Sequence, residues 1–285
     1  MSAPSVLIAG CGDIGGRLAS QLVAEQWQVY GLRRTVSSLP AGVVGVAGDL
    51  FSEQRPADWP TGPLDYLVYS AAATEHDEAG YRAAYVEGLQ HVLGWLKQHG
   101  QQPKRLLFVS SSSVYGQKAG EWVDETSPTV AGGYSGRLML EAEQVALDSG
   151  IPASRVRLTG IYGPGREWLL SQVRQGYSVV EDPPLYANRI HADDAAGLLA
   201  HLLKADRQGK SLDDCYIGVD DAPAALADVV AWLREYMGVT QWAENASVRR
   251  AGSKRCSNAR AKALGWSPRY PSFREGYAAI LEGRC

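Results

Sequence analysis

Cysteine is scarce. Cys11, Cys215, Cys256 and Cys285 are the only four in 285 residues, and no two have C-x-x-C spacing. They imply free thiols in a reducing cytoplasm, the expected compartment, and no disulfide frame. Five histidines show no metal-ligand spacing, which predicts no structural or catalytic metal. No apolar run approaches the roughly 20 residues of a membrane span. The chain enters its first predicted strand almost at once, without the charged and apolar regions of a secretory signal. Net charge is −3, so no basic field argues for nucleic acid. Internal repeats and low-complexity segments are absent. What remains is an ordinary globular composition, 45% hydrophobic and 21% charged, long enough for one large domain or two small ones.

Residues 5–34 organise the rest. Val6 to Ala9 form an apolar run that enters a turn carrying Gly10, Gly12 and Gly15 in the order G-x-G-x-x-G, with Asp13 and Ile14 between. Ile14, Leu18, Leu22 and Val23 follow at helical spacing, then a second apolar strand from Val29 to Leu32. Strand, glycine turn, helix and strand are the setting of a dinucleotide-binding fingerprint. Gly10 makes the sharp turn, Gly12 lets backbone approach a pyrophosphate, and Gly15 lets helix and strand pack closely. The amide groups and positive dipole end of the helix then hold phosphates. An NAD enzyme carries Asp or Glu at the end of the second strand, where it bonds the ribose 2′-OH. Here Arg33 and Arg34 stand there, near Ser37 and Ser38. A guanidinium pairs with a 2′-phosphate, so NADP is the expected cofactor, with NAD the alternative.

Strands and helices then alternate, which predicts a doubly wound parallel sheet. A short strand over 43–46 leads to Asp49, which either accepts a bond from adenine or serves a turn. The strand over 64–69 ends in Ser70 and the small residues Ala71, Ala72 and Ala73, against which a nucleotide can lie. A helix is predicted over 77–98, where apolar residues recur at three and four. The strand over 105–109 runs into Ser110 to Ser113. This serine run lacks the G-x-S-x-G elbow, so it is either a polar loop or a source of a hydroxyl that polarises a carbonyl.

Four stretches in order carry a family resemblance: Gly10–Gly15; FVSSSSVYG at 108–116 with WVDET at 122–126; RLTGIYGPGR at 157–166; and NRIHADDAA at 188–196. The chain resembles the extended short-chain dehydrogenase/reductases of the NAD-dependent epimerase/dehydratase group, in their atypical branch. The resemblance implies a Rossmann-like domain over 1–162 and 188–220, and a smaller substrate-binding region over 163–187 and 221–285. It implies that Ser111 assists catalysis and that a Tyr-x-x-x-Lys pair opens a helix. Tyr134 matches the tyrosine, but Leu138 then stands on the lysine. Shifting the register by one puts Arg137 on the lysine and loses the tyrosine. The family's helical Asn falls on Tyr85, and Ser112-Ser113 replaces the Asp-Glu pair of its dehydratases.

Tyr134 and Arg137 are i and i+3, so a guanidinium on the same helix face can favour tyrosinate. Arginine is no neutral replacement for lysine, however, and the alternative is that Tyr134 is a structural residue near the start of the helix. Arg166 and Arg189 are the candidate substrate-binding residues, expected to meet a phosphate or carboxylate. Asp193 and Asp194 suit the first turn of a helix. The substrate pocket is expected between the C-terminal region and the carboxyl edge of the sheet, with Arg249, Arg250, Lys254 and Arg255 adding positive charge. The resemblance further implies a homodimer through the helices at 77–98 and 136–149. The expected function is hydride transfer by an NAD(P)-dependent oxidoreductase or epimerase on a sugar-nucleotide-like or other carbonyl or hydroxyl substrate. The alternative is a non-catalytic NADP sensor.

Overall fold

The structure is a computed structural model that describes residues 3–179, 181–243 and 253–285. Arg249 and Arg250 lie outside the described residues. The first strand, β1 (Ser5–Ala9), is buried along its whole length. That is why it reads as an unbroken apolar run, since a parallel strand is covered on both faces. Helix α1 (Asp13–Ala24) buries Ile14, Leu18 and Leu22, one stripe at four-residue spacing. Strands β2 (Gln28–Arg33), β3 (Val44–Ala47) and β4 (Tyr66–Tyr69) follow.

The segment expected as one helix over 77–98 has three parts. Helix α2 (Glu78–Tyr81) starts at Asp77, whose carboxylate accepts from the Gly80 N–H at 2.7 Å. A π-helical turn covers Arg82–Glu87, and α3 spans Gly88–Gln98. The widened turn has a local cause. The Tyr69 hydroxyl of β4 donates to the Ala84 carbonyl at 2.5 Å. A Cβ on Gly88 would lie 2.5 Å from that hydroxyl, so glycine leaves room for the insertion.

The remaining elements are β5 (Arg105–Ser111), β6 (Glu121–Val123), α4 (Tyr134–Leu147), β7 (Ala153–Leu158), β8 (Gly160–Tyr162), α5 (Trp168–Arg174), β9 (Arg189–His191), α6 (Ala192–Arg207), β10 (Cys215–Gly218), α7 (Leu226–Met237), β11 (Lys254–Cys256), α8 (Ala259–Ala263) and α9 (Phe273–Leu281). Seven strands form one sheet in the order β10-β7-β5-β4-β1-β2-β3. Val6 sits opposite Val29 of β2 and Tyr66 of β4, and both pairings are parallel. The chain therefore reverses direction across the sheet at β1, the switch point beside which such sheets bind ligands. This is the expected Rossmann-like α/β architecture.

The chain divides into two compact units. The first comprises 1–114, 131–157 and 196–216; the second comprises 115–130, 158–195 and 217–285. The second unit has its own core, in which Tyr162, Leu170, Val173, Val229, Leu233 and Phe273 are buried together. Its two small sheets pair β6 with β11 and β8 with β9. No helix among the described residues is long and apolar enough to cross a membrane. Cys11, Cys215 and Cys256 are buried and Cys285 is exposed, none of them in a disulfide.

Candidate active site and cofactor cradle

Each glycine of the turn has a separate steric reason. Gly10 has φ +83°, and a Cβ there would lie 2.5 Å from the backbone of Ala71. The backbone that follows β4 thus presses directly on the turn. The Ser70 hydroxyl locks this junction by donating to the Gly10 carbonyl at 3.0 Å. A Cβ on Gly15 would meet Ser70 Oγ at 2.9 Å and Ile8 Cγ2 at 3.0 Å, so α1 can lie close on β1 only with glycine here. Gly12 differs. It is exposed, and a Cβ there would meet only the Gly10 carbonyl, at 4.0 Å. The fold leaves space for a side chain here, and a phosphate approaching this backbone would need that space.

Gly12 is also the N-cap of α1, and no side chain caps that end. Asp13 in the first turn is held by Arg17 at 2.8 Å, and Ile14 is buried in the core. An open helix N-terminus behind a glycine turn fits a pyrophosphate. At the end of β2, Arg33 is half-buried and Arg34 exposed. Among the described residues neither guanidinium hydrogen-bonds or ion-pairs with another side chain. Burial pushes the thiol of nearby Cys11 up to about 11, against the opposing pull of Arg33, so it stays neutral beside the turn. Asp49 accepts from the Phe51 N–H at 3.1 Å, which is turn geometry.

The candidate catalytic residues also lie in the first unit. Ser111 closes β5, and its hydroxyl accepts from the Ser113 N–H at 3.1 Å. Tyr134 is the first residue of α4, and its hydroxyl donates to the His76 carbonyl at 2.6 Å. Its ring stands edge-on to Tyr81, with centroids 5.5 Å apart, and Tyr81 in turn packs on Tyr85 at 5.3 Å. Arg137 does not join Tyr134. Its guanidinium lies 3.6 Å from Glu78, and both groups are exposed. Tyr85 projects from the π-helical turn; its hydroxyl meets the Ala73 backbone, and burial raises its pKa.

The same unit holds a buried network that the sequence analysis missed. Glu143 of α4 accepts from Arg157 Nε at 2.8 Å and Nη2 at 2.7 Å, and from the Ser110 hydroxyl at 2.6 Å. Glu143 and Arg157 are 2% and 3% exposed, so this bidentate pair fastens α4 to β7, and the Ser110 bond ties it to β5. The sequence signal was Arg157 itself, a charge inside an apolar strand that requires a buried acid.

The second unit brings Arg166 and Arg189 to one cavity of about 200 Å³, also walled by Tyr162, Trp168, Tyr177 and Tyr277. The aromatic walls were not foreseen, because these residues are scattered along the chain. The NRIHADD stretch beside them is architectural. Asp194 accepts from the N–H groups of Arg269 at 2.6 Å and Tyr270 at 3.0 Å. His191 is fully buried, and its Nδ1 accepts from the Asp193 N–H at 3.2 Å. Burial pushes the carboxyl of Asp194 up to about 6 and that of Asp220 up to about 7.

Comparison with known proteins agrees with this architecture. The family model for the NAD dependent epimerase/dehydratase family matches residues 6–218. A solved structure from Methylobacillus flagellatus, assigned to the NAD-dependent epimerases/dehydratases, is 35% identical, covers 99% of both chains and has a TM-score of 0.80. UDP-glucose 4-epimerase from Thermotoga maritima, solved with UDP-glucose, is 16% identical over 98% of this chain and 97% of its own, with a TM-score of 0.79. UDP-glucuronic acid 4-epimerase from Bacillus cereus, solved with NAD, is 18% identical over 98% of this chain and 96% of its own, also at 0.79. The last two likenesses concern the fold alone. No curated protein matches the chain. With the glycine cradle, the switch-point sheet and a match across most of its length, the chain belongs to the NAD dependent epimerase/dehydratase family.

Proposed function

We propose that the protein is an NADP-preferring oxidoreductase or epimerase that acts on a carbonyl or hydroxyl substrate carrying an anionic group. The observation that carries the cofactor preference is the pair Arg33 and Arg34. Among the described residues they have no ionic partner, and they stand at the strand end where an NAD enzyme needs a carboxylate. Gly10, Gly12, Gly15 and the first turn of α1, Asp13 and Ile14 included, hold the pyrophosphate. Ala71 and Ala72 give the nucleotide a flat backbone to lie on, and Asp49 borders it. When bound, the nicotinamide supplies a hydride donor or acceptor.

The chain's own residues then orient the substrate and move its proton. The Ser111 hydroxyl orients the reacting oxygen. The Tyr134 hydroxyl exchanges a proton with that oxygen after turning away from the His76 carbonyl. Arg137, directed at Glu78, supports Tyr134 only if it also turns. Arg166 and Arg189 hold the anionic part of the substrate, and two copies pair through the helices at 77–98 and 136–149.

A second reading has its own support. The existing bond from Tyr134 to the His76 carbonyl and the exposed Arg137–Glu78 pair favour a sensor that binds NADP without turnover. The test is NADPH consumption against a panel of aldehydes, ketones and sugar nucleotides, with Tyr134→Phe run beside the parent. The enzyme reading expects turnover that falls by roughly 10²-fold or more in the variant, the usual scale of general acid–base catalysis. Unchanged turnover removes Tyr134 from the chemistry. Tight NADPH binding with no turnover across the panel supports the sensor.

A further inference from the structure

The cavity of the second unit holds an electrostatic imbalance. Arg189 is 5% exposed, and the one hydrogen bond its guanidinium makes among the described residues runs from Nη1 to the Ala187 carbonyl at 2.6 Å. It forms no ion pair with any carboxylate of the described residues. A guanidinium taken out of water without a counter-charge is costly. Asp220 feels the charge of Arg189, but burial outweighs that pull and holds much of its carboxyl neutral near pH 7. Tyr162 lines the same cavity, and its buried hydroxyl has no hydrogen-bond partner among the described residues.

The walls define the rest of the ligand. Tyr162 and Tyr277 pack with ring centroids 4.5 Å apart, and Trp168 and Tyr177 stand edge-on at 6.2 Å. Such surfaces favour a ring. About 200 Å³ lies below the range of roughly 300–1,000 Å³ that houses drug-sized ligands, so a whole nucleotide sugar exceeds it. Of the two arginines on the wall, Arg189 is buried and balances one negative charge; a dianionic phosphate would need Arg166 as well, which is exposed.

We infer that this cavity takes a compact ring-bearing carboxylate, the carboxylate on Arg189 and the ring among Tyr162, Trp168, Tyr177 and Tyr277. This deepens the substrate reading and rests on the view that Arg166 and Arg189 face the substrate. It sets the substrate class apart from nucleotide sugars.

The test uses the full chain and three probes in titration calorimetry: benzoate, benzyl alcohol and uridine monophosphate. Benzoate is expected to bind in the millimolar range or tighter, with benzyl alcohol and the nucleotide at least about tenfold weaker. Arg189→Met is expected to weaken benzoate roughly 10- to 100-fold, the scale of a charged hydrogen bond, and Arg189→Lys to recover part of it. NADPH affinity, measured on each variant, is expected to stay at the parent value and reports a folded protein. Should Arg189→Met fail to fold, Leu226→Trp fills the cavity from another wall and is expected to abolish benzoate binding. The proposal is overturned if benzoate fails to bind, if benzyl alcohol or the nucleotide binds as well, or if either folded variant keeps parental benzoate affinity. None of these readouts uses turnover. Absent hydride transfer with intact benzoate binding removes only the enzyme reading, and turnover of nucleotide sugars without benzoate binding removes only this one.

Discussion

Replacing Gly12 with alanine separates cofactor binding from folding, with a control two residues away. The new Cβ meets nothing but the Gly10 carbonyl at 4.0 Å, so the fold has room for it. The loss as helix cap is about 0.5 kcal/mol, which lowers the melting temperature by about 1–2 °C in a protein of this size. The same Cβ stands where the pyrophosphate must approach the backbone. Losing two charge-assisted hydrogen bonds costs about 3–6 kcal/mol, or roughly 10²- to 10⁴-fold in Kd. Gly10→Ala is the contrast. It forces φ +83° on an L side chain and drives a Cβ to 2.5 Å from the Ala71 backbone. Strained backbone and overpacking cost about 1–3 kcal/mol each, enough to lower the melting temperature by roughly 5–20 °C. Calorimetric melting and NADPH titration on the three proteins decide the matter. The reasoning is refuted if Gly12→Ala melts as early as Gly10→Ala, or if it binds NADPH as tightly as the parent.

Two further predictions concern buried charge. Glu143→Ala leaves Arg157 without its carboxylate in a dry site, and urea denaturation is expected to show a loss of about 3–5 kcal/mol; a loss under 1 kcal/mol contradicts the structural role given to this pair. Asp220 is protonated more readily folded than unfolded, so the folded state binds more protons between about pH 4 and pH 7, and its contribution to stability falls as pH rises through that window. The limit for about three pKa units is ~4 kcal/mol. Asp220→Asn keeps an acceptor for the Ala222 N–H and is expected to gain stability over the parent at pH 8 but not at pH 4, measured by thermal melts. An equal effect at both values rules out the buried carboxyl as the cause.

The residues differ in how much they disclosed beforehand. Val6 to Ala9, the three turn glycines and the Ile14, Leu18, Leu22 stripe disclosed β1, α1 and their packing, because local periodicity and backbone sterics determine them. Arg33 and Arg34 were legible for the same reason, as they directly end a strand. The π-helical turn was not, since it depends on the Tyr69 hydroxyl reaching Ala84 from another element. Three-residue strands such as β8 and β9 are too short to show an alternation. Arg166 and Arg189 were each suspected, but their shared aromatic cavity arises from β8, α5, β9, α7 and α9 folding together. Spacing also allowed Tyr134 and Arg137 one helix face. Tertiary partners sent them elsewhere, Tyr134 to the His76 carbonyl and Arg137 to Glu78.

The central claim is a cradle built for NADP, and its most direct test is calorimetric titration of NADPH and NADH into the parent and into Arg33→Ala/Arg34→Ala. The account predicts NADPH at least about tenfold tighter than NADH in the parent, with that margin lost in the double variant while NADH affinity holds. Equal or NADH-favouring affinity in the parent contradicts it.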